Sequence, residues 1–244
     1  MQGFTKTNDL NLIIDIGNNS SKYYLFNGNQ IILHSRRENG SYGILKEWSK
    51  DFGIEKAIVS SVIGLDDTVK KEFEVLGCPV IWFGSNTPTP LTIKYRTPGT
   101  LGSDRLAAAV GAWDKTPEHN LLVIDSGSAI TFDFVDRNGN YHGGNIAPGI
   151  RMRLKALHDY TACLPTVDKE GDTPSIGYDT ETAIRSGVIR GICHEIEGYI
   201  GEFKEKYGDV FVFLTGGDEK TLINSMEEYI RRKYVGDKLF KPIL

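Results

Sequence analysis

The apolar positions of this chain come in short runs separated by turn residues. LIIDI (12–16) is patterned as a buried strand, SKYYLF (21–26) as a second strand rich in β-favouring aromatics, and QIILHS (30–35) as a third. Asn27–Gly28–Asn29 is a hairpin turn signal between the last two. The chain therefore opens on a β-meander, preceded by a loose tail over residues 1–10. A short helix carrying Trp48 is predicted over 43–51, then a strand, AIVSSV (57–62). Helical periodicity returns over 66–76, where Val69, Phe73 and Leu76 share a face, acids stand at the start and Gly77 ends the run. PVIWFG (79–84) is another short strand. Prolines 88, 90 and 98 break the next segment, which contains Tyr95 and ends in Gly102–Ser103–Asp104–Arg105. A helix of small residues starts near Asp104.

The second half repeats the pattern. LLVIDS (121–126) and SAITFDFV (128–135) are strands, Asn138–Gly139–Asn140 is a second Asn-Gly turn, and YHGGNIAPG (141–149) follows. Helices are predicted over 150–162, 180–206 and 219–234, with a buried strand and glycine loop, VFVFLTGG, at 210–217. Laid over one another, Asp15 and Asp125 stand 110 positions apart, as do Gly17 and Gly127, while the two Asn-Gly turns stand 111 apart, which implies a single gap. A chance likeness of two hairpins is the plain alternative, because an apolar strand ending in D-x-G is not rare. The matching order argues instead for duplicated α/β domains, over 11–105 and 106–244. Related by a pseudo-twofold axis, they would turn both D-x-G turns toward one nucleotide cleft, with Thr215–Gly216–Gly217–Asp218 near the base or ribose. That arrangement resembles the actin, Hsp70 and sugar-kinase superfamily and its ribonuclease-H-like domains. No G-x-x-x-x-G-K-[ST] is present, which speaks against a P-loop kinase.

Composition narrows the classes. The 244 residues, 40% hydrophobic and 25% charged, suit a globular protein with a sizeable core. A net charge of −4 supplies no basic surface for nucleic acid or an anionic membrane, and no run is apolar enough to cross a bilayer. The N-terminus lacks a signal pattern, so a cytoplasmic location is expected. Cys78, Cys163 and Cys193 lie far apart without C-x-x-C spacing and are expected to be reduced core thiols. His142, His158 and His194 form no ligand spacing and are read as structural.

Candidate chemistry concentrates in the first turn. Asp15, Ile16, Gly17, Asn18, Asn19, Ser20, Ser21 and Lys22 combine a carboxylate, a glycine turn, hydroxyls and a lysine, the parts needed to hold a Mg-bound phosphate. An ordinary exposed hairpin turn has the same composition.

Five motifs in order give a narrower resemblance: Asp15–Lys22, Tyr95–Arg105, Asp125–Thr131, Gly143–Gly149 and Thr180–Gly187. Together they resemble the type III pantothenate kinases, from about residue 11 to 235. The family pattern has Thr where Asn19 and Ser128 stand here. The resemblance implies ATP-dependent phosphorylation of pantothenate to 4′-phosphopantothenate, the first step toward coenzyme A, by a homodimer. It implies Asp104 as general base, Arg105 as a two-pronged partner for the pantothenate carboxylate, and Tyr95, Gly102, Ser103 and Thr180 at the substrate. It implies ATP on Asp15–Lys22 and Ser128, with Mg2+ at Asp15, and a monovalent cation, K+ or NH4+, at Asp125. Plainer readings stand beside these: Asp15 capping its own turn, Lys22 merely solvated, Asp104 as a helix N-cap, Arg105 in a surface ion pair, Tyr95 in packing, Thr180 as a helix cap. The GGNIAPG run gives close backbone approach, to substrate or between elements. Another small-molecule kinase or phosphatase of the superfamily, or a non-catalytic regulator, is the alternative function. In the 184–203 helix, Ile184, Val188, Ile192, Ile196 and Ile200 recur every four residues between Gly187, Gly191, Gly198 and Gly201, a pattern for close helix packing in a core or a dimer.

Overall fold

The structure is a computed structural model and describes residues 10–18 and 20–226. Most of the expected tail, Asn19 and the expected helix beyond residue 226 lie outside the described residues. The chain divides into two compact units, Met1–Pro88 with Thr97–Ala107, and Thr89–Arg96 with Ala108–Leu244.

In the first unit, β1 (Leu10–Ile16), β2 (Ser20–Asn27) and β3 (Gln30–Glu38) form the meander. Helix α1 (Gly43–Asp51), β4 (Ile54–Ser61), α2 (Asp67–Glu72) with a 3-10 turn at Phe73–Leu76, and β5 (Val80–Phe83) follow. The strand order is β3-β2-β1-β4-β5, with β4 parallel to β1. Burial alternates along β1: Leu10, Leu12, Ile14 and Ile16 are enclosed, whereas Ile13 is 36% exposed. LIIDI is thus buried on one face only, a correction to its reading as a wholly buried strand. The covered face packs against Ile44, Leu45 and Trp48 of α1 and against Phe73 and Leu76. Asp66 caps α2 by accepting from the Val69 N–H at 2.8 Å, and Gly77 ends the following turn with φ +64°.

The second unit repeats the order of the meander and its parallel neighbour, with its fifth strand on the opposite edge. β7 (Asn120–Ser126), β8 (Ala129–Val135) and β9 (Asn140–Pro148) form its meander, β10 (Val210–Thr215) lies parallel to β7, and short β6 (Thr92–Ile93) borders β9, giving β10-β7-β8-β9-β6. Helices α4 (Ile150–Asp159), α5 (Thr180–Tyr207) and α6 (Glu219–Ser225) belong here, and α3 (Ser103–Lys115) runs from one unit into the other. Leu121, Leu122, Val123 and Ile124 are all buried, so β7 has both faces covered where β1 has one. The duplication expected from sequence is present as strand order and pairing. The register replaces the single gap with two shifts. Four residues, 17–20, separate the innermost pair Ile16–Ser21, and three, 127–129, separate Ser126–Ile130. The Asn-Gly turn then adds residues back in the second copy. Both meanders carry a register irregularity before that turn, at Leu25/Phe26 and at Phe134/Val135.

The isoleucine-rich stripe of α5 is core: Ile184, Val188, Ile192, Ile196 and Ile200 pack with Leu122, Ile124, Phe132, Val212 and Leu214. Among the described residues nothing packs closely against the interleaved glycines, since a Cβ at Gly187, Gly191, Gly198 or Gly201 would meet no atom within 4 Å. The thiols differ from expectation as well. Cys193 is buried, and that burial, aided by Glu197, pushes its thiol up to about 12; Cys78 is half-buried and Cys163 is exposed. Among the described residues no helix is long and apolar enough to cross a membrane.

The glycines of the GGNIAPG run serve contacts between elements. A Cβ on Gly144 would overlap the Phe132 carbonyl, and one on Gly143 would stand 2.6 Å from the Tyr95 ring. Gly144→Ala is expected to destabilise the protein by about 1–3 kcal/mol in urea unfolding, as overpacking does. Gly53→Ala, where a Cβ meets open space, serves as the control. Equal midpoints for the two variants would show that β8 and β9 do not need this approach.

Candidate active site

The first D-x-G turn is built by strand pairing. Asp15 on β1 lies opposite Lys22 on β2, and the Lys22 Nζ stands 3.3 Å from Asp15 Oδ2. The Gly17 N–H donates to the Ser20 carbonyl at 3.1 Å, which closes the turn. Asn39, just beyond β3, braces it from outside. Its Nδ2 donates to the Gly17 carbonyl at 2.8 Å and the Asn18 carbonyl at 3.0 Å, and its Oδ1 accepts from Ser21 Oγ at 2.8 Å. Ile16 and Ser21 have no exposed surface, so they support the turn from within. Ser20 Oγ accepts from Arg36 Nε at 2.9 Å.

The start of α3 is tied to the same sheet. Ser103 Oγ donates to the Ser61 carbonyl at 3.0 Å and accepts from Ser60 Oγ at 3.0 Å. Ser60 is the β4 residue registered against Asp15, and Ser61 is registered against Ile16. Asp104, in the first turn of α3, accepts from the Arg105 N–H at 2.8 Å through Oδ1. Gly102 makes room for that carboxylate, because a Cβ there would come 2.5 Å from Asp104 Oδ1. The helix begins at Ser103, so Asp104 stands inside the first turn rather than at the cap, where the helix dipole favours its negative charge. Arg105 is 5% exposed, which removes the surface ion-pair reading.

In the second unit Asp125 on β7 lies opposite Thr131 on β8 and is registered against Thr215 on β10. The Gly127 N–H donates to the Ala129 carbonyl at 2.9 Å, and the Gly149 N–H to the Ser128 carbonyl at 3.2 Å. A Cβ on Gly216, whose φ is +102°, would overlap the Ser126 carbonyl and the Asp125 carboxylate. The Thr131 and Ser126 hydroxyls are buried with no hydrogen-bond partner among the described residues. Tyr95 packs edge-on against Tyr141, ring centroids 6.4 Å apart. Thr180 is the exposed first residue of α5. The cap is Asp179, whose Oδ1 accepts from the Thr182 N–H at 2.8 Å, a correction to Thr180 as the capping residue.

Two of the three histidines singled out from sequence have local partners. His142 Nε2 lies 2.7 Å from Asp136 Oδ2, and His158 Nδ1 lies 2.8 Å from the Leu164 carbonyl. Burial pushes the Asp136 carboxyl up, but bonds from His142, Asn140 and Asn138 outweigh it and hold the group at about 2.

In the first unit, then, the structure brings together Asp15, Lys22, Gly102, Ser103, Asp104 and Arg105. In the second it brings together Asp125, Ser128, Gly149 and Gly216. The sequence reading missed Asn39, Ser60 and Ser61. The Asn39–Gly40 dipeptide is a turn signal that could have marked the first, whereas two serines at a strand end carry no pattern.

Two meanders with one strand order, each ending a central strand in a D-x-G turn, define the duplicated α/β nucleotide-binding class of actin, Hsp70 and the sugar kinases. Solved structures agree in fold. An ethanolamine utilization protein EutJ from Carboxydothermus hydrogenoformans has a TM-score of 0.51 at 12% identity, covering 96% of this chain and 84% of that one. A ROK family glucokinase from Streptomyces griseus has a TM-score of 0.50 at 11% identity, covering 91% and 89%. The family model for type III pantothenate kinase matches residues 11–202. A type III pantothenate kinase of Bacteroides fragilis is 48% identical over 221 residues, 91% of each chain, and one of Phocaeicola vulgatus is 44% identical over 221 residues, again 91% of each. The chain belongs to the type III pantothenate kinase family.

Proposed function

We propose that Asp104 is the general base in ATP-dependent phosphorylation of pantothenate by this chain. The activity follows from its family; the residue roles rest on the geometry. The pantothenate hydroxyl oxygen forms a bond to the γ-phosphorus while the bond to the β–γ bridging oxygen breaks. ADP leaves with that electron pair, and the hydroxyl proton passes to the Asp104 carboxylate. Such transfers are loose, so positioning and charge neutralisation carry most of the acceleration. The observation that supports Asp104 is the Ser103 contact to Ser60 and Ser61, which anchors its helix to the strand beside Asp15. Arg105 is buried, and a desolvated guanidinium suits a two-pronged bond to the pantothenate carboxylate. Tyr95 and Thr180 complete the acceptor site in this reading.

The Asp15–Lys22 turn and Ser128 take the ATP phosphates. Asp15 offers carboxylate oxygens of the hard type that Mg2+ requires, and the ion would neutralise phosphate charge. The second turn fits a monovalent cation. The Asp125 carboxylate and Ser126 carbonyl offer oxygens close to Gly216, and the Thr131 hydroxyl, without a hydrogen-bond partner among the described residues, lies across the strand pair. K+ or NH4+ held there would offset repulsion between Asp125 and the triphosphate.

We infer a homodimer from α5. Helix-interior glycines destabilise by about 1 kcal/mol each relative to alanine, yet four of them face no neighbour among the described residues. Ile146, Met152, Tyr160, Ile176 and Tyr178 of the same unit are exposed.

Asp104→Asn should lower kcat by about 100-fold or more while Kd for ATP stays within about threefold. Turnover at the wild-type rate would sink the base assignment. Activity should be low in Na+ buffer and recover on adding K+ or NH4+, and indifference to the cation would count against the role of Asp125. Gly191→Trp should sediment as a monomer where the wild type sediments as a dimer; a dimeric variant would remove α5 from the interface.

A further inference from the structure

Residues 160–179, between α4 and α5, contain neither helix nor strand. A connection of that length within a compact unit is usually held in place for a function. Here it is held by Arg185 of α5, itself 7% exposed. Its Nε donates to the Asp168 carbonyl at 2.9 Å, and Nη1 donates to the Asp172 carbonyl at 3.5 Å. Gly171, with φ +127°, lets the guanidinium come close, since a Cβ there would stand 2.8 Å from it. Between the two anchored carbonyls stands Lys169, whose Nζ lies 2.5 Å from Asp218 Oδ1.

This ion pair is withdrawn from water, with side-chain exposures of 17% for Lys169 and 8% for Asp218. A lysine and an aspartate enclosed to that degree need each other, and removing either leaves an uncompensated charge. Asp218 in turn belongs to the glycine loop at the end of β10. Its N–H donates to the Ser126 carbonyl at 3.0 Å, and Gly216, two residues earlier, lies against Asp125 and Ser126. Arg185 of α5 therefore holds the 168–172 segment, and Lys169 of that segment reaches the second D-x-G turn through Asp218.

We infer that Lys169 is a positioning residue for the nucleotide: it fixes Asp218, and through it the Gly216–Gly217 loop, against the Asp125–Ser128 turn that receives ATP. This rests on the reading of that turn as part of the ATP site. Lys169 acts through Asp218 and does not itself touch the phosphates. The side chain is a loop lysine that a surface reading would treat as solvated, yet it is nearly buried against a loop carboxylate.

The test uses the full chain and a non-hydrolysable ATP analogue, with calorimetric Kd and steady-state rates. Loss of a partner that orients a ligand-binding group commonly weakens affinity about tenfold or more. Lys169→Met should accordingly raise the analogue Kd and the ATP KM about tenfold, with kcat and the pantothenate KM within about twofold. Lys169→Arg should restore both values to within about threefold. Asp218→Asn separates positioning from direct contact. Positioning predicts weaker analogue binding, whereas a lysine that binds phosphate would be released by this change and bind the analogue more tightly, which would overturn the inference. Unchanged Kd in Lys169→Met would overturn it too, as would equal loss for both substrates together with a lower Tm. Where Lys169→Met does not fold, Asp218→Asn and Lys169→Arg decide by the same criteria. A wild type that binds the analogue but does not phosphorylate pantothenate would remove the proposed acceptor and leave the Lys169 result standing. A wild type that binds no analogue would remove both.

Discussion

The register of the central antiparallel pair in each unit decides where the charges of the site stand. Side chains alternate along a strand, so a slip of one residue would carry Asp15 into the core and Ile14 out of it. The core prevents that slip. Leu10, Leu12, Ile14 and Ile16 are enclosed against Trp48, Phe73 and Leu76, which leaves Asp15 on the opposite face beside Lys22. In the second unit Leu122 and Ile124 pack on α5 and Asp125 lies opposite Thr131, but Leu121 and Val123 are buried as well, so apolar burial by itself constrains that register less. In the first unit hydrophobic burial thus fixes the position of groups that make no hydrophobic contact themselves.

Around each fixed carboxylate the chain adds a brace from a distant element. Asn39 holds the carbonyls of Gly17 and Asn18 in the first unit. In the second, the Gly149 N–H bonds to Ser128, and Asp218 bonds to Ser126. Each turn thus combines its own internal bond, Gly17 to Ser20 or Gly127 to Ala129, with one from outside. Asn39 and Gly149 each follow the third strand of their meander, so the brace recurs at equivalent places with different chemistry: a side-chain amide in one copy and a backbone amide in the other.

That difference explains what could be read from the sequence. Strands, helices and the repeated D-x-G hairpin were legible because apolar periodicity and Asn-Gly turns are local signals. The order of motifs was enough to reach the family. The two shifts in the repeat were not legible, because a shorter first turn and a longer second one nearly cancel in residue number, leaving an apparent single gap. Ile13 was misread because an unbroken apolar run looks the same whether one face or both are covered. Cys163 was taken for a core thiol although it stands in the connection after α4, where neighbouring polar residues give little periodicity to judge by. Lys169 had no local signature at all, since its partner lies 49 positions away. The glycines of α5 were legible as unusual, but their face was not: only the three-dimensional packing shows that the isoleucines are covered and the glycines are not.

The two turns have diverged most in charge. Lys22 stands across the strand pair from Asp15, and the residue in that place for Asp125 is Thr131. The first copy thus brings a cation on its own neighbouring strand, 3.3 Å from the carboxylate. The second copy offers a hydroxyl from that position, together with a carbonyl and a glycine whose side chain is missing. An ammonium on a tether and a site lined with oxygens are alternative ways to bring positive charge to a polyphosphate. The Thr131 hydroxyl is buried with no hydrogen-bond partner among the described residues, and a hydroxyl withdrawn from water is costly unless something coordinates it.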